Sequence, residues 1–256
     1  DNHRITKTAK SENNAVWING GNKIAFISSE SGKPQVWTMN ADGSDRQVAS
    51  DIENGVNGFV LSPDERHILL ISNIKYGATP EDLYSDLPKA TGRVITDLMY
   101  KHWDEWVTEI PHPFVADFDG VKVSNPIDIM EGEPYEAPMK PFGGVESFAW
   151  SPDSKNLIYV SRKKEGLEYA KSTNSDLFLY SLEDKTTKNL TEGMMGYDTN
   201  PIYSPDGKYV LYTVADFGTL PIWHRETELQ MMNLQTGAID LLKVVNSNRS
   251  ETYHSW

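Results

Sequence analysis

The chain has 256 residues, 24 Lys and Arg against 37 Asp and Glu, a formal net charge of −13 and no cysteine. That balance repels phosphate backbones and argues against nucleic acid as a partner, and the cysteine count rules out disulfides, thiolate metal sites and cysteine nucleophiles. With 38% hydrophobic and 24% charged residues the chain is globular in composition, and no apolar run approaches the ~20 residues of a membrane span.

Residues 1–13 are polar and read as an irregular arm. Ala15 to Ile18 reads as a strand, Asn19-Gly20-Gly21-Asn22 as a hairpin turn, and Lys23 to Ser28, Gln35 to Met39 and Arg46 to Ala49 as three further strands. A second unit opens with Val56 to Leu61, turns at Ser62-Pro63-Asp64 and continues as His67 to Ser72. It is then interrupted. Thr79-Pro80-Glu81-Asp82 is a helix start, with an N-cap Thr, Pro at the first helical position and acids in the first turn. Ile95, Leu98, Met99, His102, Trp103 and Trp106 fall on one helical face, which predicts a longer helix over about 94–106. β structure resumes at Pro113 to Phe118, with an edge strand between Asn125 and Met130 and a loop rich in Pro and Gly over 131–144. A third unit runs from Val145 to Trp150, turns at Ser151-Pro152-Asp153, and adds strands at Leu157 to Ser161, Asp176 to Tyr180 and Lys185 to Leu190. The fourth runs from Pro201 to Tyr203, turns at Ser204-Pro205-Asp206, and adds Tyr209 to Val214, Glu228 to Leu234 and Ala238 to Lys243.

The Ser-Pro-Asp turn is the organising feature. Ser suits the first corner of a type I turn, Pro presets φ at the second and Asp tolerates the third. A turn-and-strand unit repeated this way, with four strands per unit, predicts an all-β fold: a β-propeller of four-stranded antiparallel blades. The blades are placed at about 14–50, 55–130, 145–191 and 199–244, with a helical insertion at about 75–111 in the second. Residues 252–256 look like the first strand of a fifth. The reading is therefore an incomplete propeller, a piece of a larger protein whose open edges favour self-association.

With these residues in hand, the chain resembles the N-terminal propeller of prolyl oligopeptidase-family serine peptidases, in the bacterial branch that contains dipeptidyl and acylaminoacyl peptidases. The repeated turn, with Trp37-Thr38-Met39-Asn40-Ala41-Asp42-Gly43, is shared with TolB-like propellers. The stretch from Asp97 to Trp106, followed by His112-Pro113-Phe114-Val115, is more specific to this branch. The resemblance implies a periplasmic or secreted parent, with the cytoplasm as the alternative. It also implies a C-terminal α/β-hydrolase domain with a Gly-x-Ser-x-Gly elbow. No such pentapeptide occurs here, so no residue is nominated as catalytic, and no metal or cofactor is expected.

The resemblance further implies that acids of a propeller insertion bind the free amino terminus of a peptide substrate. Asp104 and Glu105 are the candidates here. Against them stands a charge ladder of Asp97, Lys101 and Glu105 on the surface of the expected helix. Trp103 and Trp106 are either walls of the substrate chamber or packing anchors, and His102 lies on the apolar face. His224-Arg225-Glu226 is a loop of the fourth unit. Two functions remain: the non-catalytic propeller part of a serine exopeptidase, which gates access and positions short peptides, or a TolB-like or WD40-like module that docks proteins.

Overall fold

The computed structural model describes residues 4–218, 227–247, 249–251 and 254–256. Four antiparallel sheets follow one another along the chain, each of four strands. The first holds β1 (Glu12–Ile18), β2 (Lys23–Ser28), β3 (Gln35–Asn40) and β4 (Gln47–Val48) in sequence order. The second starts with β5 (Gly58–Leu61) and β6 (His67–Lys75). After helix α1 (Pro80–Leu83) and a small hairpin of β7 (Lys101–His102) and β8 (Glu105–Trp106), it is completed by β9 (Glu109–Phe118) and β10 (Val123–Asp128). The third contains β11 (Phe148–Trp150), β12 (Asn156–Ser161), then α2 (Gly166–Lys171), β13 (Asp176–Ser181) and β14 (Thr186–Asn189). The fourth contains β15 (Tyr197–Tyr203), β16 (Tyr209–Ala215), β17 (Thr227–Asn233) and β18 (Ile239–Asp240).

The second strands of the two middle sheets are apolar on both faces because a neighbouring sheet covers each side. On β6, Ile68 and Leu70 face the first sheet while Leu69 and Ile71 face the third. On β12, Leu157 and Tyr159 face the second sheet and Ile158 and Val160 the fourth. Three cores thus each join two neighbouring sheets. The far face of the first sheet carries Ile24, Phe26 and Met39. Arg46 lies over it, 4.9 Å from the Phe26 ring, and is ion-paired to Glu12 at 2.6 Å and Glu30 at 3.1 Å.

The Ser-Pro-Asp turns share one hydrogen-bond plan. In each, the buried Ser Oγ donates to the Asp carboxylate, at 2.6 Å for Ser62 and Ser151 and 2.7 Å for Ser204. The same oxygen accepts the backbone N–H five residues on, at 2.9 Å in all three. The fourth turn residue is left-handed: Glu65 at φ 56°, Ser154 at φ 61° and Gly207 at φ 71°. Only Gly adopts this conformation without cost, yet the other two side chains link neighbouring sheets. The Glu65 carboxylate accepts from the Asn19 backbone N–H at 2.7 Å, and Ser154 Oγ accepts from that of Asp64 at 3.1 Å.

First strands lie beside one another. Asn14, left-handed at φ 52° in a bulge of β1, uses its amide as a strand edge. Its Oδ1 accepts from the Phe59 N–H at 3.0 Å and its Nδ2 donates to the Phe59 carbonyl at 3.3 Å. The residue just before each turn acts at the opposite end. Trp150 Nε1 donates to the Val60 carbonyl at 3.1 Å, whereas the matching Tyr203 hydroxyl is buried without a partner among the described residues. An unpaired buried hydroxyl costs ~1–3 kcal/mol. Tyr203→Phe is therefore expected to raise stability by about 1 kcal/mol in urea unfolding, and Trp150→Phe to lower it by about as much.

The expected strands are present, with the outer strand of the second sheet at Val123–Asp128. The helix expected over 94–106 is not. Its place is taken by irregular chain and the β7–β8 hairpin, and α1 is the insertion's one helix among the described residues. Of the six residues on the supposed apolar face, only Met99 is buried. Trp103 is left-handed at φ 49°, which no α-helix accommodates, and His102 is held by a residue of another loop. Tertiary contacts here override a chance 3.6-residue pattern. The Thr79 cap did form. Its hydroxyl accepts from the Asp82 N–H at 3.4 Å, and the Asp82 carboxylate accepts from the Thr79 N–H at 2.7 Å. Helix α2 was not expected; it starts at Gly166 without a side-chain cap. The loop with His224 and part of the 252–256 stretch lie outside the described residues; residues 254–256 form no strand.

Candidate functional site

In a sheet of this order, links between first and second and between third and fourth strands share one end, where the Ser-Pro-Asp turns lie. Links between second and third strands, and from one sheet to the next, share the other end. The insertion, the 131–144 loop and α2 therefore all gather away from the turns.

The β7–β8 hairpin is the centre of that end. Lys101 pairs with Trp106 and His102 with Glu105. Side chains opposite one another on paired strands share a face, so Lys101 and Trp106 lie on one side and His102 and Glu105 on the other. Trp103 and Asp104 make the turn. A left-handed first turn residue is normally Gly; here it is Trp103, 74% exposed, its ring edge-on to Phe142 at 5.3 Å.

His102 anchors the hairpin. Its Nε2 lies 2.6 Å from Glu136 Oε1, and Glu136 is buried. Around this pair runs a groove that also takes in Trp103, Asp104, Glu105, Glu109 and Lys140. Glu109 accepts from Asn73 Nδ2 at 3.1 Å. Asp104 and Glu105 are exposed, and their side chains make no hydrogen bond or ion pair with the described residues. Four carboxylates against one Lys and one His give the groove a negative balance that suits an ammonium group.

The two tryptophans are not packing anchors in the interior. Trp106 is 42% exposed, with Arg93 Cζ 4.4 Å and Lys101 Nζ 4.6 Å from its ring centre. Nor is there a ladder from Asp97 to Glu105. Asp97 Oδ1 instead accepts the backbone N–H groups of Leu98 and Gly166, which ties the insertion to the start of α2. Nearby, burial and the Glu165 carboxylate push the Tyr135 hydroxyl up to about 12. Lys75 leads a set of donors that holds Asp82 at about 2, completed by the N–H and hydroxyl of Thr79. Sequence reading missed Glu136, which lies 34 residues from His102 in a loop where nothing local marks it. A second His–acid pair, His112 Nδ1 to Asp128 at 2.8 Å, is enclosed within the second sheet, with His112 fully buried and out of a substrate's reach.

No protein-family model matches the chain. It is 54% identical over 209 residues to dipeptidyl-peptidase 5 from Porphyromonas gingivalis, a match covering 82% of this chain and 31% of that protein. The chain thus spans about a third of the length of that curated relative. The acylaminoacyl peptidase of Pyrococcus horikoshii superposes with a TM-score of 0.56 over 90% of this chain and 31% of that one, at 12% identity. TolB from Acinetobacter baumannii superposes with a TM-score of 0.52 over 93% of this chain and 45% of that one, at 16% identity. At those identities the two structures speak for the fold alone, which is propeller-like. The dipeptidyl-peptidase 5 match is of another order, since it runs through most of the chain at more than half identity. The chain is therefore a homologue of dipeptidyl-peptidase 5 over most of its length, with a propeller-like fold whose structural neighbours lie in the prolyl oligopeptidase and acylaminoacyl peptidase family.

Proposed function

We propose that this chain is the non-catalytic propeller part of a serine exopeptidase, and that its insertion hairpin holds the free amino terminus of short peptides for an α/β-hydrolase domain elsewhere in the protein. In this reading the four sheets are four blades, and the end of the sheets that carries the insertion faces the catalytic domain. The observation that carries it is the placement of Asp104 and Glu105, whose side chains have no partner among the described residues, in one groove with Glu109 and Glu136, on a hairpin held by the His102–Glu136 pair. Trp103 and Trp106 border the same groove and serve as its apolar walls. A carboxylate pairs with an ammonium ion and rejects a blocked, neutral terminus.

The test is Glu105→Gln in the full-length protein, assayed on free and amino-blocked forms of one peptide substrate. A charge-assisted pair is worth ~1.5–3 kcal/mol, so kcat/KM for the free amine should fall roughly 10- to 100-fold while the blocked form changes little. An equal fall on both would show a folding effect and overturn the assignment, as would no fall on either. The alternative, a TolB-type docking module, is supported by likeness of fold alone.

A further inference from the structure

The other face of the hairpin carries the opposite charge. Lys101 and Arg93 both lie against the Trp106 ring, and neither is ion-paired among the described residues, in a chain where acids outnumber bases by 37 to 24. What sets these two apart is that both are held to one aromatic ring. Two like charges held to one ring repel, and a bound anion relieves the repulsion. A guanidinium stacked on an indole keeps its N–H edge free for the two oxygens of a carboxylate.

Arg93 and Trp106 also line a groove within the insertion, walled by Tyr76, Ile95, Met99 and Tyr100. Its one acid, Asp97, is already engaged by the N–H groups of Leu98 and Gly166. The groove thus has aromatic and aliphatic walls with Arg93 as the one cation in its lining, and Lys101 stands beside it against the Trp106 ring. We infer that it binds the free carboxylate end of a peptide whose last side chain is apolar, with Arg93 and Lys101 on the carboxylate and the side chain against Tyr100 and Trp106. The hairpin then meets opposite charges on its two faces.

The probe is N-acetyl-phenylalanine, compared with N-acetyl-phenylalanine amide. Neither has a free amine, so the outcome is independent of the ammonium site on the other face. Binding is followed by the indole N–H resonance of Trp106, assigned from its loss in Trp106→Phe, and by calorimetry. The acid is expected to bind saturably and to weaken with added salt, and the amide to bind about tenfold more weakly or worse. Arg93→Gln and Lys101→Gln should each weaken the acid several-fold, and Glu105→Gln should leave it unchanged. Both cations are exposed, so neither variant endangers the fold. Equal binding of acid and amide, no saturable binding at millimolar acid, or binding untouched by both cation variants would overturn the assignment.

Discussion

Asp198→Asn is expected to abolish most of the loss of stability that the chain undergoes between pH 4 and pH 8. Asp198 sits on β15 and is buried, and that burial pushes its carboxyl up to about 7. The Thr191 hydroxyl works against the shift and the nearby Asp176 carboxylate adds to it. An acid whose folded pKa is raised binds its proton more tightly when folded. The stability it contributes is present in full below its unfolded value of 3.8 and is lost as pH rises through about 7. The difference converts to on the order of 4 kcal/mol at most. Asn keeps an oxygen for the Thr191 hydroxyl and has no charge to bury, so the variant should melt roughly 5–10 °C above the parent at pH 8 and close to it at pH 4. Exposed acids held low by hydrogen bonds, such as Asp82 and Asp206, act in the opposite direction at lower pH and cancel in the comparison. Thermal melts of both proteins across the range decide it. If both lose the same stability, Asp198 is not the group responsible.

Asn14→Ala is expected to cost about 2–4 kcal/mol. The substitution removes both bonds to the Phe59 backbone, leaves that N–H and carbonyl without partners beside a buried ring, and places Ala in a left-handed conformation. Asn14→Gly separates the causes. It restores the backbone freedom but not the bonds, so it should recover about 1 kcal/mol of the loss. Urea unfolding of the three proteins checks this. Equal stability of Ala and wild type would mean that the Asn14 bridge adds nothing to the joint between the first two sheets.

The parts of the fold that could be read from sequence are those whose information is local. A Ser-Pro-Asp turn carries its own hydrogen-bond plan within six residues, and the doubly apolar runs of β6 and β12 declare strands buried on both sides. The hairpin could not be read this way. Its helical-looking spacing is local, whereas the contacts that decide its shape come from Glu136 and Phe142, in a loop whose position depends on the second and third sheets packing together. Asp104 and Glu105 were nominated from a resemblance, on a helix that does not exist, yet the hairpin still leaves them exposed in one groove. Asn14 and Asp198 drew no attention because their roles exist only between sheets.

The arrangement of links along the strands predicts a pattern in hydrogen exchange. At the turn end, the Ser-Pro-Asp plan, the Glu65 and Ser154 bridges and the Trp150 bond fix the backbone of neighbouring sheets to one another. At the other end the hairpin is joined to the body chiefly through His102 and Asp97. Amide protection should therefore grade along the strand axis more than from one sheet to the next. The N–H groups of Asn19, Asp64 and Tyr209 should exchange slowly, and those of the insertion orders of magnitude faster. Such a molecule can rework the end that carries the insertion by substitution while the turn end continues to hold the sheets in register.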